Sequence, residues 1–326
     1  MVKNAKMVIK RYSIRLKLEV YPLNRIKRAA ELLVKEGYDD EIISLLEAAI
    51  SEQESIVAYH NLAAYLTEND KYEEALLYAE KAVAMGPKTY FPLALLGELY
   101  LRSGRKEEAQ FWLEKSYALQ TSPTVANNLA ILYKEQQHYT QAAEYFLNAF
   151  ETEDYACMYA VHCYVLAGDM ANATKWIDVI SKEEDRFIGE VELAELYALV
   201  ADYEKAKYWY KQGFRHYSTI CGWVSDYLWV LYKLDEKSEA EKVYEAYLKE
   251  LKQELAQLPE EAKEYEWSKE DLFENIHRLE GLIRRAEVVQ SETQFSPEVS
   301  FNIASRCYTF FCPMHDQKFG EAEIMS

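Results

Sequence analysis

Residues 90–123 read YFPLALLGELYLRSGRKEEAQFWLEKSYALQTSP, and this stretch decides the fold. Leu93, Leu96, Gly97 and Tyr100 recur at the i, i+3, i+4, i+7 spacing of one helix face. Ser103-Gly104 breaks that stripe, because glycine tolerates the left-handed backbone that closes a helix. A second stripe follows through Ala109, Leu113 and Ser116. Thr121-Ser122-Pro123 then ends the unit, since proline cannot continue a helix interior. One block is thus a helix, a tight turn and an antiparallel helix.

The block recurs in both directions. The residue opening its second half is Ile42, Ala75, Ala109, Ala142, Ala173, Ala206 and Ala240, with gaps of 33, 34, 33, 31, 33 and 34. A period in this range means stacked units, none of which buries its apolar face without its neighbours. Tyr59, Leu62, Ala63, Leu66, Tyr72, Ala75 and Ala82 repeat the pattern before the quoted block. Leu129, Ala130, Tyr133, Tyr139, Ala142 and Phe146 repeat it after. The small residues mark the closest approach of the paired helices, where a larger side chain costs about 1–3 kcal/mol in overpacking.

These residues resemble the tetratricopeptide repeat, whose units carry Leu, Gly/Ala and Tyr, then Gly, Tyr, Ala, an aromatic, Ala and Pro. The resemblance implies an all-α, right-handed superhelical solenoid of about seven repeats over residues 23–255. It would be preceded by a basic arm at 1–22, closed by capping helices at 256–290, and followed by an irregular tail at 291–326. Ser268 and Asp271 form a capping-box signature that opens the predicted helix at about Lys269–Val289. Val299, Phe301 and Ile303 hint at a short strand in the tail.

Charge narrows the partners. Residues 1–28 carry nine basic side chains and one acid, a net +8, so the remaining 298 residues carry −26 of the total −18. An acidic body is a poor match for a phosphate backbone, and no nucleic-acid partner is expected. No 18-residue apolar run exists, so no membrane span is expected. In the arm, Tyr12, Ile14, Leu16, Leu18 and Val20 alternate with polar residues, a strand pattern lacking the apolar run of a secretory signal. The expected compartment is cytoplasmic.

The resemblance also implies where ligands sit: on the inner, concave face lined by the first helix of each unit. Placed on the repeat, those positions are His60 and Asn61, then Phe91 and Glu98, then Asn127 and Asn128, then Tyr155, Tyr159 and His162. Glu195 follows, and Trp229 and Tyr232 complete the set. Asn61 and Asn128 share the sixth place, where an amide donates to and accepts from a peptide backbone at once. The grip used on chaperone C-terminal carboxylates is not matched, because Glu31, Phe91 and Leu95 stand where it needs polar or basic groups.

Cys307, Cys312 and His315 are the only candidate metal ligands with suggestive spacing. They number three where structural zinc takes four, and Tyr308, Phe310 and Phe311 between them suit apolar anchoring of a tail. Neither a metal nor a cofactor is expected. The remaining cysteines, 157, 163 and 221, are read as reduced apolar filler. Without nucleotide, hydrolase or protease motifs, the expected function is a non-enzymatic scaffold binding a protein or peptide. The alternatives are a peptide-responsive regulator whose superhelix compacts on ligand, and, further off, a metal-dependent activity at the Cys/His cluster. Oligomeric state is not legible.

Overall fold

A computed structural model describes residues 22–150, 155–182, 188–294, 299, 301–306 and 308–314. The alternating pattern at 12–20 lies outside them. The described chain is all-α, and consecutive helices pack as helix–turn–helix pairs.

It divides into two compact units. The first holds the residues up to Gln137 and the segment from Asn302 onward. Its helices are α1 (22–32), α2 (Asp39–Glu52), α3 (Ile56–Glu68), α4 (Tyr72–Ala84), α5 (Tyr90–Arg102), α6 (Lys106–Leu119) and α7 (Pro123–Glu135). The second, His138–Phe301, holds α8 (Tyr139–Ala149), α9 (Ala156–Leu166), α10 (Met170–Ile180), α11 (Glu190–Leu199), α12 (Tyr203–Gly213), α13 (Trp223–Lys233), α14 (Lys237–Glu264) and α15 (Lys269–Val288).

The repeat is exact in its geometry. Ile42, Ala75, Ala109, Ala142, Ala173, Ala206 and Ala240 are each the fourth residue of an even-numbered helix, α2 through α14. The six alanines are fully buried, and Ile42 is 2% exposed. The paired helices also approach closely at the glycine of α5. At Gly97 a Cβ would stand 2.6 Å from Leu113 Cγ and 3.1 Å from the Leu113 backbone nitrogen.

The turns repeat as strictly. Asp70, Gly104, Gln137, Gly168, Ala201 and Asp235 all close a helix at positive φ, between 58° and 75°. In the α11 turn the Ala201 amide donates to Ala198 and the Asp202 amide to Tyr197, satisfying carbonyls the helix end leaves bare. Only glycine takes this conformation without strain, yet four of the six positions hold another residue. Ala201→Gly is therefore expected to raise stability by about 0.5–1 kcal/mol, read from urea unfolding. An unchanged or lower midpoint would contradict it.

Three details depart from the sequence reading. Pro123 opens α7 at its first turn instead of closing the preceding unit, since a missing N–H costs nothing there. Helix α14 runs unbroken through Leu255 to Glu264, so the expected boundary at 255/256 falls inside it. Pro259 removes one donor, but buried Leu258 and Ala262 on either side hold the helix together, and α14 packs against α15. Finally, residues 301–306 form no strand. The Ser268–Asp271 capping box is present as expected and opens α15.

Candidate functional site

In the first unit, α3, α5 and α7 lie side by side and present one face. That face is occupied by the chain's own C-terminal segment. Asn61, the sixth residue of α3, donates through Nδ2 to the Phe310 carbonyl at 3.0 Å and accepts the Phe310 amide at 2.9 Å. Asn128, the sixth residue of α7, treats Ala304 the same way, at 2.9 and 2.8 Å. Each amide thus takes both hydrogen-bonding groups of one backbone residue, as a neighbouring strand would.

The spacing of these clamps follows from the repeat. Two helix-to-helix steps of about 8–10 Å separate α3 from α7. The clamped residues, 304 and 310, are six apart in sequence, a separation that extended backbone covers in about 20 Å. Six residues over two steps amount to three residues per repeat. Side-chain amides take the place of a partner strand.

Between the clamps the contacts are aromatic and cationic. Phe91 on α5 meets the rings of Tyr308 and Phe310 at 5.7 and 5.8 Å. Arg306 donates to the Tyr90 hydroxyl at 2.9 Å and lies over the Phe91 ring at 5.3 Å. Asn127 donates to the Asn302 carbonyl at 3.0 Å. Tyr308 and Phe310 are each 2% exposed. Fully burying such side chains stabilises by about 1.5–3 kcal/mol apiece. Further along, Lys27 of α1 sits over the Phe311 ring at 5.1 Å.

Burial sets the ionisation of the seat. His60 Nε2 donates to the Tyr308 carbonyl at 2.9 Å, and the ring lies edge-on to Phe310 at 4.9 Å. Loss of solvent pushes its pKa down to about 4, with the carbonyl acceptor opposing only partly, so the ring is neutral at pH 7. Glu98, also wholly buried, is raised by burial and pulled back by Arg102, whose Nε stands 2.9 Å away, and by Ser305.

The second unit has its own arrangement. Phe301 packs on Phe146, Tyr159 and His162, with centroids at 5.7, 4.9 and 6.4 Å. Trp229 Nε1 donates to the Glu292 carbonyl at 3.1 Å. Tyr155 is 47% exposed at the start of α9, and Tyr232 is half-buried on α13.

Glu195 belongs to a different group, an acidic cluster. It neighbours Asp226, which accepts from Arg285 of α15 at 2.5 Å, and Glu192. Burial first, then the like charges of Asp226 and Glu192, raise Glu195 to about 8 against the pull of Arg285. Between the ordinary value of 4.5 and about 8 the folded chain holds a proton that the unfolded chain has lost. Stability therefore falls as pH rises through that window. Glu195→Gln is expected to stabilise by on the order of 1–3 kcal/mol at pH 8.5 and to be near neutral at pH 4.5. Urea unfolding at the two pH values checks this; an equal effect at both would refute the assignment.

The clamp residues were legible from the repeat, but their occupant was not. Tyr90 and Arg306 are not legible in the sequence, because a tyrosine at a helix start and an arginine in an irregular tail carry no pattern of their own. Cys307 and His315 of the suggested metal cluster lie outside the described residues, and Cys312 is buried. Among the described residues no group of three potential ligands is gathered, and no helix is long and apolar enough to cross a membrane.

Comparison with known proteins bears on the same elements. The tetratricopeptide repeat family model matches residues 55–86 and 124–152, the stretches that contain Asn61 and Asn128. A tetratricopeptide repeat protein from Parabacteroides merdae is 16% identical, with a TM-score of 0.52 over 82% of this chain and 99% of that one. PilF of Pseudomonas aeruginosa is 18% identical, with a TM-score of 0.50 over 62% of this chain and 94% of that one. At such identities the likeness is one of fold. No curated protein sequence matches the chain.

Proposed function

Because this chain is a tetratricopeptide repeat protein, of a class that generally mediates protein–protein interaction, we propose that its α3–α5–α7 face captures an extended segment of a partner protein. The observation that supports this is the pair of asparagine clamps. Asn61 and Asn128 bind backbone N–H and C=O, groups every extended peptide carries, and they hold a peptide segment in this way already. Affinity from main-chain bonds with selectivity from side-chain pockets is the logic of strand-like peptide recognition. The proposed role is binding, without a reaction and without a cofactor.

Affinity capture from a native extract, comparing wild type with Asn61→Ala/Asn128→Ala, tests the reading. Retention of helix by circular dichroism with loss of the principal captured protein is expected. Undiminished capture of every partner by the folded variant would sink it.

A further inference from the structure

The segment that fills the face is specific in a way the clamps are not. Arg306, Tyr308 and Phe310 stand two residues apart, and each meets a fixed feature of the first unit. Arg306 has the Tyr90 hydroxyl and the Phe91 ring. Tyr308 has Phe91 and, through its carbonyl, His60. Phe310 has His60, Phe91 and the Asn61 clamp. A guanidinium held over an aromatic face and two rings in desolvated pockets are the contact types that dominate binding at interfaces.

We propose that the C-terminal segment is a resident copy of the ligand. The partner's segment carries a basic residue followed at two-residue intervals by two aromatic residues, and it binds by displacing residues 302–310. This rests on the groove reading above and adds to it the ligand's chemistry and an internal competitor. Competition follows from occupancy: one amide cannot bind two backbones, so the two segments exclude each other at Asn61 and Asn128. Linkage on the same chain gives the resident segment a high effective concentration. A partner in trans is weakened by the fraction of time the face stands closed.

The test uses the full-length chain with Tyr308→Ala/Phe310→Ala and, as a milder second variant, Arg306→Glu. The probe is a fluorescein-labelled peptide of the sequence of residues 301–314, with serine for both cysteines, followed by fluorescence anisotropy. The double variant is expected to bind the probe at least tenfold tighter than wild type, and Arg306→Glu to an intermediate degree. Probes with the arginine changed to glutamate, or both aromatics to alanine, are expected to bind the double variant at least tenfold more weakly. Equal affinity of wild type and both folded variants overturns the competition. Equal affinity for intact and altered probes overturns the recognition pattern, yet leaves the groove reading standing, since that reading is judged separately by capture with the asparagine variant. Concentration-dependent dimerisation of a wild type that takes up no probe assigns the seat to a neighbouring copy, and also overturns the proposal.

Discussion

Asn61→Ala/Asn128→Ala is expected to unseat the C-terminal segment while leaving the helix hairpins intact. The double change removes four hydrogen bonds, two to Phe310 and two to Ala304. At about 0.5–1.5 kcal/mol each, the loss is on the order of 2–6 kcal/mol. Tenfold in an equilibrium corresponds to about 1.4 kcal/mol, so amide exchange at Ala304 and Phe310 should accelerate by roughly 30-fold or more. Asn127→Ala removes the single bond to Asn302 and the long contact to Asn128, and should act roughly tenfold at most. Hydrogen exchange read by mass spectrometry on peptides from residues 301–314 distinguishes the two. Acceleration confined to α3 and α7, with protection of the terminal segment unchanged, would show that the amides do not hold it.

The second large effect is expected at Gly97. Glycine in mid-helix ordinarily costs up to about 1 kcal/mol relative to alanine, so on propensity alone Gly97→Ala should stabilise α5. The packing reverses the sign. A Cβ there lies 2.6 and 2.8 Å from Leu113 Cγ and Cδ2, and 3.1 Å from the Leu113 backbone nitrogen. The side chain has little room to yield, because Leu113 is fully buried, and the backbone belongs to the α6 helix. Overpacking of about 1–3 kcal/mol outweighs the propensity gain, and Gly97→Val, with two further carbons, should cost more. Urea unfolding measures both. A Gly97→Ala chain more stable than wild type would mean that α5 and α6 approach less closely than described. The effect also reaches the binding face, since Tyr90 and Phe91 stand on the same helix as Gly97.

Much of this was readable from residues alone, for a physical reason. A hairpin that buries its small residues at a fixed crossing must place them at a fixed period. Ala75, Ala109 and Ala142 therefore announced both the helices and their pairing. A turn position is legible where the chain uses glycine, as at Gly104. It is hidden at Gln137 and Ala201, where the same positive φ is imposed on residues that do not prefer it. Pro259 does not end α14, because the rule against proline in helices is local, whereas packing of Leu258 and Ala262 is not. Repeat position alone makes Glu195 a groove residue. Its surroundings, with Asp226, Glu192 and Arg285 drawn from separate helices, make it part of a buried charge cluster.

What the amino-acid sequence determined by itself is the repeating hairpin, because period, small residues and turn chemistry are all encoded within about 34 residues of one another. The occupant of the α3–α5–α7 face was settled only in three dimensions. Asn61 and Phe310 lie 249 residues apart, and an asparagine amide that binds main chain reads no side chain that could have identified its target.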